Sequence, residues 1–222
     1  MSIEAVAFDV GETLVDETRV WSMWADWLGV PRFTLMSVMG SVVERDEHHQ
    51  RLFDYFRDDF DLEAAYAARR AAGVAFELSE DDLYADVAAC FRELSARGYR
   101  LAIAGNQPGN IEAPLRAIGL PVELVASSAT WGVEKPSLAF FARLADELKL
   151  EPNRIAYVGD RVDNDVLPAR AAGMVSVFIR RGPWGYIHAR RPDADLADIR
   201  IESLAELPPA LAAWNETHGE GT

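Results

Sequence analysis

The chain has 222 residues, half of them hydrophobic and 26% charged, which is the composition of a globular protein rather than a disordered one. A formal net charge of -14 argues against a basic surface for nucleic acid or anionic lipid, yet leaves room for a small anionic substrate, which needs only a few local donors. The single cysteine, Cys90, excludes an internal disulfide and reads as a small core residue, and no stretch approaches the about 18 apolar residues of a membrane span.

In chain order, the first element is the apolar run "IEAVAF" at 3–8, which ends at Asp9 and is followed by "VGETLVDE". The region 17–82 carries no strand-like run. It is helical in pattern and rich in aromatics, Trp21, Trp24, Trp27, Phe33, Phe53, Tyr55, Phe56, Phe60 and Tyr66, and it is too long for a simple connection. Its tryptophans, three residues apart, read as packing inside an inserted helical domain. His48 and His49 and the acids Asp54, Asp58, Asp59 and Asp61 read as solvated faces. Residues 85–97 place Val87, Phe91 and Leu94 on one helix face and stop at Gly98. The runs "YRLAIA" (99–104), "VELVA" (122–126), "RIAYVG" (154–159) and "MVSVFI" (174–179) follow as strands. Between them, 137–149 forms a helix with Leu138, Phe141, Leu144 and Leu148 on one face, and 163–172 forms another. The tail beyond Glu216 is polar and reads as frayed.

Alternation of strand and helix predicts an α/β fold, a Rossmann-like parallel sheet with helices on both faces. The predicted organisation is a core of 1–16 and 83–222 with a helical insertion at 17–82. In such sheets ligands bind outside the carboxyl ends of the strands. Four polar segments fall at those ends or before a helix: Asp9, "AGNQPGN" with Gly105 and Asn106, "EKPS" with Lys135, and "YVGDRVDNDV" with Asp160 and Asp165.

Together these segments suggest a phosphate site. Two carboxylates from separate strand ends suit Mg²⁺, a hard cation that prefers oxygen ligands. Lys135 offers positive charge to a phosphoryl group, and backbone N–H groups after Asp9 and around Gly105 and Asn106 offer a cradle for its oxygens. A carboxylate can attack phosphorus and form an acyl phosphate that water hydrolyses.

On these motifs, and on "RRGPWG" and "ADLADIRIESLAEL" later in the chain, the sequence resembles the haloacid dehalogenase-like hydrolases, in the subgroup with a helical cap between the first two motifs. The resemblance runs from Ile3 to about Leu207. It implies Asp9 as nucleophile, Lys135 as the phosphate-orienting base, Asp160 as a second Mg²⁺ ligand, and Asp165 as a supporting acid. It implies a mobile cap, a small phosphorylated substrate and Mg²⁺ as cofactor. A cytoplasmic location is the default, and a monomer and a homodimer stay equally open.

Two positions depart from the family pattern. The usual second aspartate, which protonates the leaving group and activates water, is Gly11 here. The resemblance implies a backbone carbonyl ligand to the metal at that position, which glycine retains. Losing a positioned acid/base costs ~10²–10⁴-fold in rate. Glu12 and Asp16 are the neighbouring acids, and both read as solvated. The usual Ser or Thr is Gly105, a change worth about 0.5–1.5 kcal/mol of lost hydrogen bonding.

Taken alone, Asp9 would read as a turn or cap residue and Lys135 as a surface lysine; their order along the chain raises both to site residues. Asp163 reads as the plain cap of the helix at 163–172, and Asn106 is divided evenly between turn and site. The leading expectation is a Mg²⁺-dependent phosphatase acting through an aspartyl-phosphate. The alternatives are a phosphate- or metabolite-binding protein with weak or absent chemistry, and a metal-free 2-haloacid dehalogenase.

Overall fold

The computed structural model describes residues 2–219. The chain folds as two compact units, Met1–Asp16 with Ser79–Thr222, and Glu17–Leu78.

The larger unit is built on six parallel strands: β1 (Ala5–Phe8), β2 (Arg100–Gly105), β3 (Leu124–Ser127), β4 (Ile155–Gly159), β5 (Val175–Ile179) and β6 (Ile199–Ile201). Their order is β3-β2-β1-β4-β5-β6. β1, β4 and β5 are buried at every residue, as strands covered on both faces must be, and this explains why they read as unbroken apolar runs. β6 has only three residues, one of them buried, too short a signal for the sequence to reveal. Pairing puts Phe8 level with Ile103 on one side and with Val158 on the other. The chain therefore builds outward from β1 in one direction and then returns to β4 on its other side. The crevice at this reversal is where such sheets bind ligands.

The helices are α1 (Thr18–Leu28), α2 (Arg32–Glu44) and α3 (Leu62–Ala71) in the smaller unit, then α4 (Val87–Ala96), α5 (Glu112–Ala117), α6 (Ser128–Trp131), α7 (Leu138–Leu148), α8 (Leu167–Ala171), α9 (Gly182–His188) and α10 (Leu207–His218). Phe140, Phe141, Leu144 and Leu148 of α7 pack on Ala5, Ala7, Ala102, Ala104 and Tyr157, the small alanines letting helix and sheet approach closely. On α4, Val87, Phe91 and Leu94 are buried, and Phe91 meets Phe8 with ring centroids 4.5 Å apart. Each such ring or leucine contributes about 1.5–3 kcal/mol. The buried ions described below add little net stability, since desolvation offsets their attraction. The apolar layers hold this fold.

Within the smaller unit, Trp24 is buried among Phe53, Phe60 and Tyr66, at 4.8, 6.3 and 5.2 Å between ring centroids. Asp54, Asp58, Asp59 and Asp61 are exposed, and Asp61 caps α3 by accepting from the Ala64 N–H. His48 caps the short turn that follows it, accepting from the Gln50 N–H.

The structure corrects four expectations. Leu138 is 51% exposed at the first position of α7, and Phe140 takes its place in the core. The predicted helix at 163–172 begins as a wide π turn, Val162–Val166, before α8. Asp163 does not cap it; its carboxylate pairs with Arg161 at 2.6 Å. The tail beyond Glu216 continues α10 to His218, and residues 220–222 lie outside the described residues.

Candidate active site

β1 ends at Phe8, and the Asp9 N–H still donates to the Val158 carbonyl at 2.9 Å, so Asp9 leaves the sheet in register with β4. The chain then turns tightly. The Leu14 and Val15 N–H groups both donate to the Val10 carbonyl, and the Glu12 N–H donates to the Val15 carbonyl. Gly11 lies in this turn, bridged to Val15. At the end of β2, a Cβ on Gly105 would lie 2.5 Å from Asp9 Oδ1. The backbone of β2 thus lies against the Asp9 carboxylate, and any side chain at position 105 would require that carboxylate to shift.

Lys135 arrives from the loop before α7. Asn106 grips its backbone at two points, accepting from the Lys135 N–H and donating to the Lys135 carbonyl, both at 2.8 Å. The Asn106 side chain is thereby committed to aiming Lys135. The lysine is 2% exposed, and its Nζ lies 2.7 Å from Asp9 Oδ1 and 2.5 Å from Asp165 Oδ1. The Tyr157 ring stands 5.3 Å from Nζ, and its hydroxyl donates to the Ala104 carbonyl. Burial alone would lower the lysine's pKa, but Asp165 and Asp9 overcome it and hold the ammonium well above its usual range.

Asp160 follows β4 directly and is 2% exposed. The π turn returns Asp165 beneath it, where Oδ2 accepts from the Arg161 N–H at 2.9 Å. A Cβ on Gly159 would lie 2.3 Å from the Asp165 carboxyl carbon, so this seat also depends on a missing side chain. Burial, helped by the Asp9 charge and opposed by Lys135, pushes the Asp165 carboxyl up to about 6. Asp160 is raised well above the carboxylate range by burial and by the neighbouring Asp165, Asp9 and Glu12.

Asp9, Lys135, Asp160 and Asp165, predicted from separate stretches, thus come together, with Gly105 and Asn106 beside them. Among the described residues, Asp9, Asp160 and Asp165 form one group of potential ligands whose oxygens lie within 4.8 Å of one another. The residues fit a hard divalent cation. Asp160 Oδ2 is buried without a hydrogen-bond partner, and the carboxylates of Asp165, Asp9 and Glu12 lie close enough to act on it. Both Asp165 oxygens already accept, from Lys135 and Arg161, whereas Asp160 Oδ2 has no hydrogen-bond partner.

Glu12 corrects the sequence reading. It is 6% exposed rather than solvated, its carboxylate accepts from the Tyr84 hydroxyl, and its backbone has φ 53°. Asp16 is half-buried, and its N–H donates to the Asp82 carbonyl. Sequence reasoning also missed His188, whose Nδ1 accepts from the Val162 N–H and steadies the turn after Asp160. Nothing local signals it, because it comes from α9.

The chain belongs to the haloacid dehalogenase-like hydrolase family, whose model matches residues 3–173. It is 42% identical over 83 residues to the glyceraldehyde 3-phosphate phosphatase of Methanopyrus kandleri, a match covering 37% of this chain and 35% of that protein. The chain thus spans about a third of that relative's length. It is 26% identical over 230 residues to the phosphoglycolate phosphatase of Yersinia pestis, covering 95% of this chain and 94% of the relative. A solved HAD phosphatase from Thermococcus onnurineus shares the fold with a TM-score of 0.60 at 24% identity, over 94% of this chain and 98% of that one. No helix among the described residues is long and apolar enough to cross a membrane.

Proposed function

We propose that this chain is a Mg²⁺-dependent phosphatase of a small phosphorylated metabolite, working through an aspartyl-phosphate on Asp9. The observation that carries the reading is the Lys135 ammonium seated between Asp9 and Asp165, with the unpartnered oxygen of Asp160 buried close by. The two relatives described above, both named as phosphatases, support the substrate class.

An Asp9 carboxylate oxygen attacks phosphorus in line, forming the Asp9–phosphorus bond as the bond to the leaving oxygen breaks. The leaving group departs with the electron pair. Water then attacks phosphorus, the bond to Asp9 breaks, and inorganic phosphate leaves with the carboxylate restored. Lys135 holds Asp9 in aim and neutralises charge on the phosphoryl oxygens. Asp165 fixes Lys135, and Asn106 fixes the backbone that carries it. Gly105 keeps the β2 backbone close to the phosphoryl seat. Asp9, Asp160 and the Gly11 carbonyl would hold Mg²⁺, which supplies charge neutralisation to the transferring group. Gly11 provides no acid, so this chemistry favours substrates whose leaving group departs easily, acyl phosphates among them. Of the expected insertion at 17–82, the compact unit Glu17–Leu78 serves as the cap, and the larger unit, 1–16 with the chain from Ser79 on, serves as the catalytic core.

The test is a phosphatase screen over phosphorylated metabolites, with and without Mg²⁺, on the wild type and on Asp9→Asn. Turnover that needs both Mg²⁺ and Asp9 supports the reading. Flat results throughout support a second reading, which Gly11 favours: a phosphate-binding protein without catalysis. Metal-independent dehalogenation of a 2-haloacid would support the third, against which the buried, unpartnered Asp160 oxygen speaks.

A further inference from the structure

We propose that Glu12 is a positioning residue of the nucleophile loop, held between Tyr84 and Gly182 so that the backbone from Asp9 to Thr13 keeps the shape phosphoryl transfer needs; this rests on the phosphatase reading above. Glu12 occupies two unfavourable states at once. Its φ of 53° lies in the left-handed region that residues with a Cβ avoid, and its carboxylate is buried in a loop where solvent would be the more favourable place. Such states persist where the surroundings over-determine them, and they gather at functional sites.

The surroundings here are specific. The Tyr84 hydroxyl donates to Glu12 Oε2. The Arg181 guanidinium covers the Tyr84 ring at 4.1 Å, donates through Nη1 to the Thr13 carbonyl at 2.9 Å, and pairs through Nη2 with Asp86. Asp86 in turn accepts from the Leu204 N–H at 2.9 Å. The loop is therefore gripped twice, by the side chain of residue 12 and by the carbonyl of residue 13. Gly182 makes the seat: with φ 62°, a Cβ there would lie 2.4 Å from Glu12 Oε2 and 2.6 Å from Glu12 Cβ. A glycine at position 12 would reach the same backbone shape without strain. The chain carries the strained residue, and what that residue adds is the tether.

The experiment compares Glu12→Gly, Glu12→Gln, Tyr84→Phe and the Glu12→Gly/Tyr84→Phe double variant in the full chain. The expected result for Glu12→Gly is a thermal midpoint no lower than wild type, with kcat on an aryl phosphate falling ~10-fold and KM nearly unchanged, because misplacement of the attacking group acts on the chemical step. Tyr84→Phe should lose kcat to the same extent, with a lower thermal midpoint because the buried Glu12 carboxylate loses its donor; the double variant should turn over no worse than either single one, and Glu12→Gln, which keeps the acceptor, should retain most turnover. A second readout needs no turnover. The amides of Leu14 and Val15, both bonded to the Val10 carbonyl, should exchange faster by ~10-fold in Glu12→Gly and Tyr84→Phe, while those of β1 stay unchanged. Wild-type kcat and exchange in Glu12→Gly, or a loss of turnover there that merely follows a loss of stability, would overturn the proposal. If no variant, wild type included, turns over phosphate esters, the phosphatase reading fails, and amide exchange alone decides whether the tether exists.

Discussion

The Lys135 ammonium lies 2.7 Å from Asp9 Oδ1, and no element of secondary structure joins the two residues directly. One follows β1 and the other precedes α7, and the Asn106 clamp at the end of β2 brings the second to the first. The predictions below follow from this buried contact and its neighbours.

Replacing Lys135 with methionine leaves Asp9 and Asp165 facing each other in the interior without a cation. Removing one partner of a buried ion pair costs about 3–5 kcal/mol. Urea denaturation at pH 7 in EDTA should show a loss of that order. The loss should shrink at pH 5, where a protonated Asp165 no longer repels Asp9. Aryl phosphate turnover should drop at least ~10²-fold. A variant as stable and as active as wild type would remove Lys135 from the site.

Asp160 and Asp165 both hold their protons more tightly when folded than the ordinary carboxylate value of 3.8. The sign follows from linkage: the folded state is favoured by protonation, so metal-free stability declines as pH rises from about 4 through about 6 and beyond. Lys135 is shifted upward too, but its stabilisation is lost only in the alkaline range, which leaves this window to the carboxylates. In EDTA, Asp160→Asn should therefore be more stable than wild type at pH 8 and show a smaller advantage at pH 5. Saturating Mg²⁺ should raise wild-type stability, by about 2.7 kcal/mol at a hundred times its dissociation constant, and leave the variant nearly unmoved. A variant weaker than wild type at pH 8 without metal would reverse the argument.

Gly105→Ser restores a hydroxyl that the family usually carries, yet it should lower activity. The new Cβ would lie 2.5 Å from Asp9 Oδ1, an atom held by Lys135, so the Asp9 carboxylate must move off its partner. Gly105→Ala separates crowding from hydroxyl chemistry. Both should lose kcat by ~10²-fold, since a displacement near 1 Å is enough for that. Activity above wild type in the serine variant would mean that the loop relaxes freely.

Gly11→Asp supplies the missing acid. Its benefit should depend on the substrate: a gain in kcat on alkyl phosphates, whose leaving group needs a proton, and little change on acyl or nitrophenyl phosphates. A plot of rate against leaving-group pKa should flatten in the variant. An unchanged slope would mean that another group already protonates the leaving oxygen, or that chemistry does not limit turnover.

Much of the site was legible because it sits at strand ends. Asp9, Gly105 and Asp160 each close an apolar run, and a carboxylate there is visible in the sequence as an interruption. Lys135 was found only through its order among the other motifs. Glu12 was misread because a charged residue beside a glycine looks like a loop tip; its burial is caused by Tyr84 and Gly182, remote in sequence. Asp163 was misread as a cap because a π turn has no distinct local pattern. β6 was missed because three residues carry no periodicity.

The sequence by itself determined the parallel sheet, since strands buried on both faces must be apolar throughout, and it determined which polar residues interrupt them. Only the tertiary structure decided how charge is shared among those residues. Lys135 is committed to Asp9 and Asp165, Asp160 keeps an unpartnered oxygen, and Glu12 lies inside rather than outside. The reason is that hydrogen bonds and ion pairs act over a few ångströms of space, and distances along a chain do not fix those until the sheet has brought its strand ends together.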